Sequence, residues 1–162
     1  QEIAINHPDY IDHLILVSST SSKKKFKPRD QVSNTLNSYA FAEEHFGQTY
    51  QLLFADSFKE KYAQKSFVRF QMSNKHPQPQ ECFLNQLKAV RNFDSTDRVQ
   101  QIRKPTLIIC GDQDQMSPKE GSEFLHSQIN HSKFFLYPDV GHVPQSENQK
   151  RFIEDVTNFL LE

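Results

Sequence analysis

Three short runs of consecutive apolar residues constrain the fold of this chain more than any other feature of its sequence. They lie within Asp12–Val17, Thr106–Cys110 and Lys133–Tyr137. Continuous apolar runs of this length, bounded by polar residues, are typical of strands that are covered on both faces of a sheet. Helical patterns separate the runs, and this alternation predicts an α/β fold with three parallel strands and flanking helices.

Helical patterns also occur at both ends of the chain. Glu2–Asn6 has the pattern of a helix tail, which ends at His7-Pro8 because proline cannot continue the backbone ladder. A domain rarely starts inside a helix, so we expect Gln1 to mark a cut rather than a natural beginning. Residues 149–162 have the clearest amphipathic pattern. Its apolar positions are Phe152, Ile153, Val156, Phe159 and Leu160.

A further helix is predicted between the second and third strands. Ser117 is a candidate N-cap, and Pro118 would occupy the first helical position, where proline is favoured. Phe124, Leu125 and Ile129 would then form the apolar face of this helix.

The composition disfavours several classes of partner. With 19 basic and 20 acidic residues among 162, the chain has no net field to attract nucleic acid or anionic lipid. No apolar run approaches the roughly 20 residues of a membrane helix, and the first residues do not have the form of a signal peptide. We therefore expect a cytoplasmic protein with no membrane or nucleic-acid partner. Cys82 and Cys110 lack metal-ligand spacing, and we expect no disulfide framework, metal or cofactor.

Residues 23–92 contain a basic run followed by helical patterns rich in aromatic residues. The run Lys23–Arg29 could contact phosphate, but we favour a solvated loop at the end of a strand. Beyond it, apolar positions at helical spacing predict several amphipathic helices. These positions are Leu36, Tyr39, Ala40, Leu52, Leu53, Phe54, Phe67, Phe70, Phe83, Leu87 and Val90. Most of these side chains should pack between helices, and a minority should face a ligand.

Two loops that follow predicted strands carry residues suited to acid–base chemistry. Asp114 lies in the loop after the second strand, and His142 lies in the loop after the third. The carboxyl ends of neighbouring parallel strands lie along one edge of a sheet, so the two side chains can meet there. A carboxylate that accepts a hydrogen bond from one imidazole nitrogen fixes the tautomer and leaves the other nitrogen able to take a proton. Either residue alone is more often a cap or a turn residue, but together they indicate a catalytic pair.

These loops resemble those of the α/β-hydrolase fold enzymes. Gly111, Asp114 and Pro118 form a Gly-x-x-Asp-x-x-x-Pro pattern after an apolar strand, as in the segment that carries the triad acid of that family. Gly141-His142, followed by an amphipathic helix, is similar to the histidine segment. The resemblance implies that Asp114 is the acid and His142 the base. It also covers residues 1–10 and the link from Asn92 to Ile102, and so essentially the whole chain. Asp112 and Asp139 are nearby carboxylates that could be mistaken for the acid.

The resemblance also implies how the chain is organised. It would be the C-terminal half of an α/β-hydrolase, with residues 1–22 forming a core helix tail and strand and residues 23–92 a helical cap or lid. Residues 93–162 would form the core strands and helices that carry the acid and the histidine. The three strands would be the last of the family's sheet, which leaves the Leu14–Val17 edge without its neighbour. We therefore expect self-association, or pairing with an N-terminal piece of the same protein.

The nucleophile of the triad has no counterpart in the sequence. The family places it in a Gly-x-Ser-x-Gly turn between a strand and a helix, and no such motif occurs in the 162 residues. By the family's spacing the motif would precede Gln1. Ser18, Ser19, Ser21 and Ser22 are not expected to replace it, because they follow a different strand and no strained turn is expected there.

For the complete protein, the resemblance implies a serine hydrolase with a small apolar substrate. The bond cleaved would be that of an ester, a lactone or a thioester, or a carbon–carbon bond, and this chain alone is expected to be inactive. Two alternatives remain open at this point. The family's dehalogenases and epoxide hydrolases use an aspartate nucleophile on the same fold, and a non-catalytic binding scaffold would keep the fold without the reaction.

Overall fold

The computed structural model describes residues 1–28, 30, 51–62 and 79–162. Its sheet has three parallel strands in the order β1 (Leu14–Val17), β2 (Thr106–Gly111) and β3 (Lys133–Tyr137). The helices with defined bounds are α1 (Glu2–Asn6), α2 (Gln80–Asn92), α3 (Lys119–Gln128), α4 (Pro144–Glu147) and α5 (Gln149–Leu160). Residues 51–53 and 56–62 are also helical, and 3₁₀ turns lie at Pro8–Tyr10 and Val99–Gln101. The predicted α/β architecture is confirmed.

The central strand β2 lies between two hydrophobic cores. All 6 of its residues are buried. Ile108 packs in one core with Leu16 and Leu125, whereas Leu107 and Ile109 pack in the other with Tyr137 and Phe159. Because successive side chains of a strand point to opposite faces, a strand between two cores favours apolar residues on both faces. This explains the continuous apolar run in the sequence.

The first strand is shorter and less buried than the sequence predicts. It begins at Leu14 rather than at Asp12, and only Leu16 among its residues is buried. Leu14 pairs with Thr106 and Val17 with Ile109, so β1 is hydrogen-bonded to β2 on one side. Within the described residues β1 is an edge strand, which explains why the prediction of burial on both faces is wrong for most of it.

The predicted start of the helix after β2 is also wrong. Pro118, not Ser117, is the N-cap of α3, and no side chain caps that helix. The hydroxyl of Ser117 instead accepts a hydrogen bond from Lys23 Nζ, and its backbone N–H donates to Asp114 Oδ1. Ser117 therefore belongs to the loop before α3, although the sequence pattern assigned it to the start of the helix.

The C-terminal helix α5 has a narrower buried face than its apolar pattern suggests. Phe159 is buried, and Phe152 and Val156 pack against the core that contains Tyr137. Ile153 and Leu160 are 56% and 48% exposed. The sequence thus predicts the helix correctly but overstates how much of its apolar stripe is covered within the described residues.

The proposed division into a core and a cap at residues 23–92 stays a prediction. Leu36, Tyr39, Ala40, Phe67 and Phe70 lie outside the described residues. The part of residues 23–92 that the structure describes includes α2 and the helical segments 51–53 and 56–62, and contains no named strand. No helix among the described residues is both long and apolar enough to cross a membrane.

We propose that a further strand pairs with the outer edge of β1. In the described part of the chain β1 pairs with β2 alone, and an edge strand presents unpaired N–H and C=O groups that bind another strand. The strand would come from a second copy of the chain or from an N-terminal segment of the same protein. In the isolated 162-residue chain only a second copy can supply it, so light scattering and native mass spectrometry should give a mass above 19.0 kDa. A stable monomer at high concentration, with dispersed amide resonances, would contradict the proposal.

Candidate active site

Asp114 and His142 meet at the carboxyl ends of β2 and β3. His142 Nδ1 lies 2.8 Å from Asp114 Oδ2. The Asp114 side chain has 0% exposure, whereas the His142 side chain is 26% exposed. A carboxylate oxygen only accepts hydrogen bonds, so Nδ1 carries the proton of this bond and Nε2 is left to accept one. The structure thus brings together the two residues that the sequence analysis paired.

The loop that carries Asp114 also holds its second carboxylate oxygen. Asp114 Oδ1 accepts hydrogen bonds from the backbone N–H groups of Met116 and Ser117, each at 2.8 Å. With His142 on Oδ2, both oxygens of this buried carboxylate have partners, which is what a buried charged group requires. The carboxylate is therefore fixed in position before any ligand binds.

The other two carboxylates considered for this role lie elsewhere. Asp112 and Asp139 are exposed. Asp139 Oδ1 accepts a hydrogen bond from Gln113 Nε2 at 3.0 Å. Among the described residues, Asp114 is the carboxylate that contacts the His142 ring. The assignment of Asp114 as the acid stays a prediction.

Lys23 reaches into this site from the loop after β1, which the sequence analysis did not anticipate. Its ammonium donates to Met116 O at 2.7 Å and to Ser117 Oγ at 2.6 Å. Burial lowers the pKa of Lys23, and the Asp114 charge partly opposes that effect. The interpretation of the basic run as a solvated loop is therefore wrong for Lys23, although Lys24 and Lys27 are exposed. Nothing in a row of lysines indicates which one turns inward.

Glu147 holds the loop that carries His142. Its Oε1 accepts hydrogen bonds from the N–H groups on both sides of the histidine, Gly141 at 2.9 Å and Val143 at 3.3 Å, and its Oε2 accepts from Ala55 N at 2.8 Å. Burial raises the pKa of Glu147, while these three N–H groups lower it. The sequence analysis missed this residue. The sequence signal that could have identified Glu147 is its position, five residues after His142 in the short helix α4.

A cavity of about 600 Å³ opens beside His142. This volume is within the range of small-molecule sites. Phe83, Leu87 and Met116 contribute apolar surface to its wall, and Lys23 contributes a cation. Phe83 and Leu87 belong to α2, so part of the predicted aromatic and apolar stripe faces a cavity.

Ser18, the first residue after β1, also lines this cavity and has an unusual conformation. Its φ is 48°, in the left-handed region that residues with a side chain rarely adopt. The residue is 7% exposed, and its hydroxyl oxygen has no hydrogen-bond partner among the described residues. The expectation that no strained turn follows this strand is therefore wrong for Ser18.

The structure gives no functional assignment to the cysteines. Cys110 is buried in β2, and burial raises the pKa of its thiol to about 12. Such a thiol is a packing group rather than a nucleophile. Across the described ranges, no group of 3 or more His, Cys, Asp and Glu side chains is placed to hold a metal ion.

Comparison with known proteins relates most of the chain to one family. A family model described as the α/β-hydrolase fold matches residues 2–149. A putative carbamate hydrolase from Cronobacter sakazakii is 24% identical over 148 residues, which are 87% of this chain and 53% of that protein. A proline iminopeptidase from Heyndrickxia coagulans is 31% identical over 71 residues, which are 44% of this chain and 24% of that protein.

Solved structures share the fold at low sequence identity. The enol-lactonase from Burkholderia xenovorans has a TM-score of 0.82 and 18% sequence identity, and the match covers 99% of this chain and 60% of that one. The chain therefore spans about half or less of its curated relatives and about 60% of this solved neighbour.

Replacing Glu147 should loosen the histidine loop. Glu147→Gln keeps one acceptor oxygen but turns an amide group toward at least one of the N–H groups that the carboxylate now satisfies. An unsatisfied buried donor costs on the order of 1–3 kcal/mol, so the free energy of unfolding should fall by about that amount. Denaturant titration measures this loss, and hydrogen exchange should accelerate at Gly141, Val143 and Ala55. Glu154→Gln, at an exposed position of α5, is the matched control; equal behaviour of the two variants would refute the role of Glu147.

Glu147 should also contribute to the pH dependence of stability. Because its pKa is raised in the folded chain, it binds its proton more tightly there than in the unfolded chain. Its contribution to the free energy of unfolding is therefore complete below the ordinary value of 4.5 and is lost as the pH rises through the folded value. Unfolding titrations across this range should show a smaller decline with pH for Glu147→Gln than for the unsubstituted chain. An unchanged slope would contradict this assignment.

Proposed function

The chain belongs to the α/β-hydrolase fold family, and on that basis we propose that the protein containing it is a serine hydrolase in which Asp114 and His142 are the acid and the base. The observation that carries the proposal is the hydrogen bond between these two side chains at the edge of a cavity. The complete protein would supply the nucleophile, since the chain has no Gly-x-Ser-x-Gly turn.

The reaction follows from the hydrogen bonding of the pair. With Nδ1 donating to Asp114, His142 Nε2 takes the proton of the serine hydroxyl as its oxygen attacks the carbonyl carbon. Asp114 stabilises the imidazolium that results, and His142 then donates the proton to the leaving group. A water molecule, deprotonated by the same nitrogen, cleaves the acyl-enzyme and releases the acid. Backbone N–H groups of the complete protein would stabilise the oxyanion.

The cavity and the relatives support a small substrate with an acyl carbonyl group. Phe83, Leu87 and Met116 offer apolar surface, which favours a substrate with an apolar or aromatic part. The related proteins are named as a carbamate hydrolase, a peptidase and a lactonase, and the bonds in these names all join a heteroatom to a carbonyl carbon. The bond cleaved could be that of an ester, a lactone or a thioester, or a carbon–carbon bond. The names of the related proteins add amide and carbamate bonds to these candidates.

Residues 23–92 would act as a helical cap over the site. Two contacts support this role. The helix α2 contributes Phe83 and Leu87 to the cavity, and Leu53 O accepts a hydrogen bond from the backbone N–H of His142 at 2.8 Å. A cap in this position would shield the acyl-enzyme from bulk water and give the substrate its apolar surroundings.

The proposed roles predict large losses in the complete protein. His142→Ala and Asp114→Asn should each lower kcat for the preferred ester by several powers of ten, on the order of 10⁴-fold for the acid by comparison with the serine-protease triad. Asp112→Asn is the matched control, because Asp112 is exposed and should change kcat little. A greater loss in Asp112→Asn than in Asp114→Asn would overturn the assignment of the acid. The chain alone should hydrolyse p-nitrophenyl acetate no faster than free imidazole.

A fluorophosphonate probe distinguishes the proposal from its alternatives. A serine nucleophile next to His142 reacts with the probe, so the complete protein should be labelled, and labelling should fall sharply in His142→Ala. An aspartate nucleophile or a non-catalytic scaffold would give no labelling. Label attached to the isolated 162-residue chain would show a nucleophile within it and would contradict the proposal.

A further inference from the structure

We propose that the cavity beside His142 contains a subsite for a carboxylate of the substrate, formed by the ammonium of Lys23 and the hydroxyl of Ser18. The inference rests on the proposed function, because it names the class of substrate that the same cavity would accept. That class is a small carbonyl compound with a short apolar or aromatic part and an anionic group.

Lys23 provides the charge of this subsite. Its ammonium has three N–H donors, and two neutral acceptors, Met116 O and Ser117 Oγ, bind it at 2.7 Å and 2.6 Å. No carboxylate of the described residues forms an ion pair with Lys23 at salt-bridge distance. The charge of Asp114 acts on it, but the oxygens of that carboxylate are occupied by His142 and two backbone N–H groups. A partly buried cation in this state is stabilised by an anion that enters the cavity.

Ser18 provides a second polar group at the same place. Its hydroxyl is the buried side-chain oxygen in the described residues that has no hydrogen-bond partner. Buried polar groups are almost always satisfied, and backbone strain of the kind seen at its φ of 48° concentrates at ligand sites. Ser18 and Lys23 line the same cavity, so a ligand oxygen between them would give the hydroxyl the partner it lacks.

The remaining wall has the charge and polarity that such a substrate requires. Lys27 and Arg91 also line the cavity, whereas no Asp or Glu of the described residues does. Both oxygens of the buried Asp114 carboxylate are already occupied, by His142 and by two backbone N–H groups. Phe83, Leu87 and Met116 form the apolar part. Apolar surface next to a buried cation selects a ligand that has both an apolar part and an anionic end.

A purely structural role for Lys23 predicts a different result. Lys23 also ties the loop after β1 to the loop of Asp114, so its loss could distort the cavity and weaken every ligand alike. The ratio of affinities for an anionic ligand and its neutral analogue separates the two roles. Distortion lowers both affinities, whereas loss of a carboxylate subsite lowers only the first.

The test compares 4-phenylbutanoate with 4-phenylbutanamide in calorimetric titrations of the 162-residue chain. The carboxylate should bind about tenfold more tightly than the amide, as expected for a charge-assisted hydrogen bond. Lys23→Met should abolish this preference, and Lys24→Met should retain it, because Lys24 is exposed and does not line the cavity. Equal affinity for the two compounds, no binding of either, or an unchanged preference in Lys23→Met would overturn the proposal.

Ser18→Gly gives an independent check. Glycine adopts a positive φ without strain and carries no hydroxyl to leave unpaired, so the variant should have a Tm no lower than that of the unsubstituted chain. Its affinity for 4-phenylbutanoate should fall severalfold, with little change for the amide. An unchanged carboxylate affinity would remove Ser18 from the subsite.

These binding measurements need no nucleophile. A carboxylate preference without fluorophosphonate labelling of the complete protein would support the subsite and refute the serine nucleophile. Labelling of the complete protein without a carboxylate preference would support the serine nucleophile and refute the subsite.

Discussion

The parallel pairing of β2 with a strand on each side is the constraint on which the described structure depends. Each face of β2 contributes to one of the two cores, and its backbone groups are hydrogen-bonded to both neighbours. Gly111, the last residue of β2, is paired with Tyr137, the last residue of β3. The two loops that carry Asp114 and His142 therefore leave the sheet side by side. The position of the pair follows from strand register before any side chain of the loops is considered.

The loops lie so close together that their backbones, rather than their side chains, set the spacing. A Cβ atom on Gly111 would lie 2.0 Å from Val140 O, and one on Gly141 would lie 2.7 Å from Leu53 O. Neither glycine has a positive φ, so closeness of approach and not backbone conformation requires glycine here. With these contacts, Asp114 Oδ2 and His142 Nδ1 come within 2.8 Å. Gly111 and Gly141 thus allow the close backbone approach that brings the acid and the histidine together.

Two ionisable residues connect this pair to segments that are distant in the sequence. Glu147 binds the amides on both sides of His142 and also that of Ala55, and Lys23 binds the loop of Asp114. Burial makes the charged form of each more costly. Backbone N–H groups offset part of that cost for Glu147, and the charge of Asp114 offsets part of it for Lys23. Such contacts are strong in a low-dielectric interior, so the acid, the histidine and the segment around residues 53–55 form one connected polar network.

The sequence by itself determined the class of fold and the candidate pair. The continuous apolar runs predict strands covered by helices, and Asp114 in the loop after Gly111 and His142 directly after Gly141 are then expected at the carboxyl edge of the sheet. Short-range patterns did not predict the environments of three other residues. From the sequence alone, Ser117 is expected to be a cap, Lys23 a solvated lysine and Ser18 an ordinary loop serine. Their actual environments come from residues far away in the chain: Lys23 contacts Met116 and Ser117, and Glu147 contacts Ala55. Only the tertiary structure decided these contacts, because burial and hydrogen-bond partners depend on which segments pack together rather than on local sequence.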